Sequence, residues 1–333
     1  MTSRDVRIDP LRPTSLDDFG GQDDVVRELR IVLSAARARD ELSDHILLSG
    51  PPGLGKTTLA YIIAAELGIR FVPTSGPAIE KPGDLAAVLT ALGDNALLFI
   101  DEIHRMPRAA EEVLYSAMED GRLDIIVGEG KDARTIPVPL ASFVLVGATT
   151  QAGLLSGPLR DRFGYAPRLE LYTPETLTKI VQRSAGLLDT NITEAGAKVV
   201  ALRSRGTPRL ANRLLRRVRD WAQVESIDPI DEPDAIAACE AFRIDPVGLD
   251  PVGRQILENL CTTFHNSPVG LKTLAATVGE QPTTIEEVYE PYLMHLGMLV
   301  RTPQGRMASD TAYRHLELDP PGVEASTQMQ LGA

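Results

Sequence analysis

The chain is poor in cysteine, in long apolar runs and in positive charge, and each shortage narrows what it can be. Cys239 and Cys261 are the only cysteines, with no second pair and no nearby histidine set. That excludes a disulfide framework and a sulfur-ligated zinc site, and predicts two reduced, partly buried side chains. No run approaches the roughly 18–20 apolar residues needed to cross a bilayer, and the opening MTSRDVRIDPLRP lacks the apolar stretch of a secretion signal. The expected location is the cytoplasm. The net charge of −12 argues against a general positive field that coats nucleic acid, but leaves room for DNA held by a few local contacts.

What is present describes a globular protein. With 333 residues, 43% of them hydrophobic and 24% charged, the chain can bury a large core and is expected to divide into two or three domains. Strand-length apolar runs, HILLSG (45–50), IRFVPT (69–74), ALLFID (96–101), FVLVGATT (143–150) and APRLEL (166–171), alternate with helix-length segments. This alternation predicts an α/β fold with a parallel sheet covered on both faces. After Tyr172 the strands stop, and 174–188, 193–203, 208–224 and 231–241 read as helices, with Pro174 and Pro208 in first turns. IDPVGLDPVGR (244–254) reads as a linker. Beyond it, LKTLAATVG and TTIEEVYEPYL read as two helices, the second opened by a Thr283/Glu286 capping box, and LGMLVRT and RMAS as two strands around Pro303–Gly305. That is a winged-helix pattern, and the tail from Pro320 to Ala333 is expected to be disordered.

The first chemical signal is Gly50-Pro-Pro-Gly-Leu-Gly-Lys56-Thr57, between a strand and a helix. Glycines such as Gly53 and Gly55 let backbone N–H groups turn around phosphate, Lys56 reaches the β/γ oxygens, and Thr57, followed by Thr58, offers a hydroxyl to Mg²⁺. ALLFIDE then ends a buried strand in Asp101-Glu102, which puts one carboxylate on hydrated Mg²⁺ and a second beside an attacking water. FVLVGATT ends in Thr149-Thr150, either of which can reach the γ-phosphate or that water; Thr150 is the preferred candidate. His104 completes DEIH and reads as a polar residue at a helix start.

GPPGLGKTT, LFIDEIHR, GATT, PLRDRFG and GTPR, in this order, resemble AAA+ ATPases. TSGPAIEKPGDLAA (74–87), EEVLY and AMED (111–120), RGTPR with ANRLLRRVRD (205–220), and PVGL…YEPYL…RTP-x-GR (268–306) resemble, within them, the bacterial motors of Holliday-junction branch migration; the likeness runs from about Leu11 to His315. It implies an AAA+ domain over 1–172, a small helical lid over 173–245 and a winged-helix DNA-binding domain over 246–319, ahead of the 320–333 tail. It also implies an ATP- and Mg²⁺-dependent DNA helicase of recombination, repair and the SOS response, working as a hexameric ring. A clamp-loader-like subunit and an ATP-switched DNA-binding regulator are the alternatives. The implied partners are four-way junction and duplex DNA, a RuvA-like junction-binding protein and a RuvC-like resolvase.

The resemblance also gives roles to residues that spacing leaves open. Arg162 of PLRDRFG becomes the arginine finger presented to a neighbouring subunit's ATP, with Arg160 as the alternative and Asp161 as a residue that can hold either guanidinium. Arg209 of GTPR becomes the lid arginine that closes over nucleotide. Leu11, Arg12 and Tyr172 match base-side contacts, and Glu119, Asp120 and Gly121 match another nucleotide-contact run, with Gly121 replacing a bulkier residue.

RSRGTPRLANRLLRRVR (203–219) carries seven arginines and no acid. On a helix from Pro208, Arg209, Arg213, Arg216 and Arg217 share a face that suits DNA, the ATP and next subunit, or solvent. The acidic helix with Glu286, Glu287 and Glu290 suits major-groove readout poorly, whereas Arg301 and Arg306 flank the wing turn and suit phosphates without reading bases. Pro282 and Gln304 stand where family members often carry arginine, which predicts weaker, more salt-sensitive DNA binding per subunit. Residues 122–140 read as a projecting hairpin, whose Ile136 and Val138 the resemblance assigns to the junction-binding partner.

Overall fold

The computed structural model describes residues 9–127 and 134–321. The Gly-rich tip expected in the 122–140 hairpin lies outside them, as does the expected tail beyond Pro321. The chain forms two compact units. One holds the residues up to Leu187 together with Thr207–Arg209; the other holds Leu188–Gly206 and the residues from Leu210 onward.

The first unit is built on four parallel strands, β1 (Ile46–Ser49), β2 (Arg70–Ser75), β3 (Ala96–Asp101) and β6 (Phe143–Thr149), in the order β1-β6-β3-β2. The two central strands are the two continuous apolar runs and are almost wholly buried, as strands covered on both faces must be. Ser49 lies opposite Thr149, and Ile100 opposite Gly147, so β1, β6 and β3 end side by side. The crevice beyond those ends is where an open parallel sheet binds ligands.

The sheet is covered by α1 (Asp23–Arg39), α2 (Lys56–Leu67), α3 (Pro82–Thr90) and α4 (Arg108–Asp120), and α6 (Pro174–Leu187) belongs to the same unit. In α4, Ala110, Leu114 and Ala117 recur at helical spacing and join a core with Leu98, Ile100 and Leu145. The expected fifth strand does not form. Residues 165–169 run parallel to β1, with Leu47 N–H donating to Tyr165 O (2.9 Å), Ser49 N–H to Pro167 O (3.1 Å) and Leu169 N–H to Ser49 O (2.8 Å). The donor between Tyr165 and Leu169 in that ladder would be the amide of residue 167, and proline has none, so the pairing is interrupted midway.

β4 (Arg122–Val127) and β5 (Arg134–Pro139) pair antiparallel as the expected hairpin, with Leu123 opposite Val138 and Ile125 opposite Ile136. At the base, Leu123 is buried and Val138 packs on the core; further along, Ile136 is 48% exposed.

In the second unit, α7 (Glu194–Leu202) and α9 (Glu232–Ala241) carry side-chain caps from Thr193 and Asp231, and α8 runs over Pro208–Glu225. The expected linker is firmly held. Asp245 accepts the amides of Val247 (3.0 Å) and Leu249 (2.7 Å), and Arg205, buried, donates to Gly248 O (2.6 Å) and pairs with Asp250 (3.1 Å). Asp250 also caps α10 (Pro251–Glu258), so the Pro/Gly-rich text ends inside a helix.

Then come α11 (Leu271–Val278), α12 (Pro282–Thr284), a π turn over Ile285–Tyr289, α13 (Glu290–His295), the wing strands β7 (Leu299–Thr302) and β8 (Gly305–Ala308), and α14 (Asp310–His315). Leu257, Leu260, Leu274, Ile285, Leu293 and Leu299 form their shared core. The expected capping box is absent: Gln281 precedes α12 and gives no side-chain cap, because Pro282 starts the helix one residue before Thr283. Cys239 and Cys261 are free and buried.

Candidate nucleotide site and nucleic-acid surface

The phosphate-binding loop joins β1 to α2. Gly53 and Gly55 have φ of 83° and 100°, a backbone that side chains resist, and Gly55 as N-cap leaves the first turn of α2 without a side-chain cap. Its N–H groups and dipole therefore suit an anion. Lys56, buried, donates to Gly50 O (2.7 Å) and Pro51 O (2.9 Å), so the loop's own carbonyls hold the ammonium. Burial lowers its pKa to about 8, against the opposing pull of Asp101 and Glu102, and Arg209 lowers it further. Three charged groups chosen from the sequence, Asp101, Glu102 and Arg209, thus all act on Lys56.

Thr57 and Thr58 are half-buried on the first turn of α2. Asp101 accepts the Glu102 amide at 3.0 Å. One hydroxyl and one carboxylate form a sparse donor set, and no cluster of three metal-ligating residues occurs among the described residues. Such a set fits Mg²⁺, which keeps several waters and takes its remaining oxygens from phosphates.

Glu102 sits at φ 50°, strained for a residue with a side chain. The strain is held by close packing, since a Cβ on Gly76 would lie 2.2 Å from Glu102 O. Next to it is the residue that sequence reasoning undervalued. His104, its side chain 3% exposed, has Nδ1 2.9 Å from the Thr149 hydroxyl and Nε2 3.5 Å from Glu102 Oε2. It bridges the ends of β3 and β6. The signal in the sequence was a titratable residue two places after the acidic pair, but a helix-start reading absorbed it. Thr149 Oγ also accepts the Gln151 amide (2.9 Å), whereas Thr150 Oγ is buried and without a hydrogen-bond partner.

Arg209 reaches the phosphate loop through its backbone: its amide donates to Gly53 O (3.4 Å), and a Cβ on Gly53 would stand 3.2 Å from Arg209 Cβ. Tyr172 also touches the loop, its hydroxyl donating to Leu54 O (3.2 Å) while burial raises its pKa. Leu11 is buried, with Arg183 donating to its carbonyl (3.3 Å), and Arg12 is exposed.

Arg162 belongs to a different cluster. Its guanidinium donates to Tyr115 OH (2.7 Å), stacks 4.9 Å from that ring and pairs with Glu119. The carboxylate holding it therefore comes from α4, not from Asp161. Glu119 is engaged there, Asp120 pairs with Arg122 (3.5 Å), and Gly121 (φ 62°) ends α4. Arg160 ends the short helix α5 (Gly157–Arg160).

On the winged helix, Arg306 donates to both oxygens of Glu290 (2.6 and 3.3 Å), while Arg301 donates to Glu286 (2.6 Å) and pairs with Glu290 (3.2 Å). Glu290 is 1% exposed, the Arg306 side chain 13% and the Arg301 side chain 46%. The acidic helix and the wing arginines neutralise each other, and the two arginines are unequal: Arg306 is built into the domain, Arg301 lies at its surface.

Three family models cover the chain in sequence: the Holliday junction DNA helicase RuvB P-loop domain over 11–169, the RuvB AAA lid domain over 172–245 and the RuvB C-terminal winged helix domain over 246–317. The Holliday junction branch migration complex subunit RuvB of Cutibacterium acnes is 54% identical over 93% of this chain and 91% of its own length. That of Streptomyces avermitilis is 57% identical over 93% and 87%. Among solved structures, the Thermotoga maritima RuvB Holliday junction branch migration motor superposes with a TM-score of 0.86 at 48% identity, over 94% of this chain and all of the other. With a phosphate loop, an acidic pair and a polar strand end converging on one sheet edge, and with all three models matched in order, the chain belongs to the RuvB family.

Proposed function

We propose that this protein is the ATP-hydrolysing motor of a Holliday junction branch migration complex, divided as the resemblance implies into ATPase domain, lid and winged helix. The observation that carries the proposal is the phosphate loop with its buried Lys56, set among the strand ends that bear Asp101 and Glu102 and touched at Gly53 by Arg209, on a chain whose relatives are named for that activity. Gly53, Gly55 and the α2 N-terminus bind the phosphates; Leu11, Arg12 and Tyr172 take the base side. Thr57 and Asp101 hold Mg²⁺, which supplies charge neutralisation at the phosphates when bound. Glu102 orients the attacking water, Lys56 offsets the developing negative charge, and Thr150 and Arg209 sense the γ-phosphate. Arg162 meets the ATP of a neighbouring subunit in a hexameric ring, with Glu119 and Tyr115 holding it beforehand.

Duplex arms of the junction are held through Arg301, with Arg306 positioning the wing. The exposed face at Ile136, continuous with Val138, docks a RuvA-like junction-binding protein, and a RuvC-like resolvase joins the same complex. No helix of the described residues is long and apolar enough to cross a membrane; the place of work we propose is the cytoplasm. The test is ATP-dependent dissociation of a synthetic four-way junction with and without the junction-binding partner, with linear duplex and Lys56→Ala as controls. Partner-dependent dissociation that vanishes in Lys56→Ala is expected. ATP hydrolysis without junction movement would overturn the reading in favour of a clamp-loader-like subunit or an ATP-switched regulator.

A further inference from the structure

The second unit contains a cleft of about 430 Å³, apart from the phosphate loop, lined by Arg203, Arg205, Arg213 and Arg217, with Asp250 as the one acid and Phe242 on its wall. Gathering four guanidinia around one carboxylate runs against the −12 net charge of the chain, and such a group repels itself unless something answers it. Arg205 is answered: it pairs with Asp250 and donates to Gly248 O. Among the described residues, no acid forms an ion pair with the other three. Arg213 is exposed and makes no ion pair among the described residues, and Arg217 stacks 5.6 Å from Phe242, which leaves its N–H edge available.

Arg203 is decisive. It is 9% exposed, yet its Nη1 is buried without a hydrogen-bond partner. Burial raises the Cys239 thiol pKa and the nearby Arg203 guanidinium opposes the rise, so the charge of Arg203 is felt beneath the cleft floor. An unanswered guanidinium N–H is unfavourable at that depth, and a turn of the Arg203 side chain towards a compact anion in the cleft would satisfy the bond and relieve the repulsion together.

We infer that this cleft is a second anion site that takes the phosphate end of a small ligand, such as pyrophosphate or a nucleotide's phosphates. Several oxygens on one small group suit three guanidinia, which bind phosphate in pairs of parallel bonds. A volume of this size falls in the range of small-molecule sites. Duplex DNA fits less well, since its phosphates lie on a stiff convex backbone and Arg203 lies deep.

The probe is pyrophosphate, titrated calorimetrically into the full chain carrying one equivalent of ADP, which fills the phosphate loop and leaves the cleft open. One saturable binding event per chain is expected. It should weaken at least about tenfold in Arg203→Met and in Arg213→Glu. Arg213 is exposed, so its substitution keeps the test valid if the Arg203 variant fails to fold. Absence of saturable heat, or binding that survives Arg213→Glu, would overturn the site. Competition by linear duplex, with pyrophosphate displaced in proportion, would overturn the small-ligand assignment by showing that backbone phosphates fill the cleft.

Discussion

His104 Nδ1 lies 2.9 Å from the Thr149 hydroxyl, and the opposite ring nitrogen faces Glu102 at 3.5 Å. The nearby carboxylate favours the proton on Nε2, so Nδ1 accepts from Thr149. Through this ring the end of β6 sets the orientation of the proposed water-positioning carboxylate. His104→Ala should lower kcat about tenfold with little change in nucleotide affinity, and His104→Gln should recover part of the loss. Equal losses in kcat and nucleotide affinity would indicate a merely structural ring.

Lys56 gives a pH dependence with a definite sign. Its pKa of about 8 without nucleotide lies below the ordinary lysine value, and phosphates favour the charged form and raise it. ADP affinity is therefore full below about pH 8 and falls as pH rises through that value, with proton uptake on binding. Calorimetry in two buffers of different ionisation enthalpy reads the uptake directly. For stability the sign reverses: between about pH 8 and the unfolded lysine value the unfolded chain binds more protons, so Lys56 makes the fold more stable with rising pH.

Arg162 is tied to Glu119 and Tyr115, and a trans role requires it to act on another subunit's nucleotide. Arg162→Ala should leave ATP binding intact and reduce ring ATPase by about a thousandfold. Mixing it with Lys56→Ala should restore some activity, because some interfaces then pair an intact loop with an intact finger. No recovery at any mixing ratio would remove the trans assignment.

The two wing arginines should separate in a stability and binding experiment. Arg306→Ala strands the buried Glu290 carboxylate with only Arg301 near it, and should destabilise the winged helix by about 3 kcal/mol in urea denaturation. Arg301→Ala should change stability by less than about 1 kcal/mol while lowering the salt slope of duplex binding by about one. A reversed pattern would show that Arg306 is the phosphate contact.

On the hairpin, Ile136→Asp should abolish binding to the junction-binding partner without loss of stability, since that side chain is already half in water. Val138→Asp should cost about 2 kcal/mol as well, because Val138 packs on the core. Unaltered partner binding by Ile136→Asp would move the interface elsewhere.

The sequence by itself determined the phosphate loop, the acidic pair, the central strands and the wing. Each rests on short-range physics: glycines where φ must be positive, continuous apolar runs where both faces are covered, prolines in first turns. Only the tertiary structure decided what each polar group faces. His104 meets a hydroxyl 45 residues away, and Arg306 meets a carboxylate 16 residues away across a turn. Arg205 pins a Pro/Gly-rich segment that composition alone presents as a loose linker. Pro167 interrupts the fifth strand because one missing amide matters only once β1 lies beside it. Local periodicity encodes which face of an element is apolar, whereas the partner of a charge depends on which elements the packed core brings together.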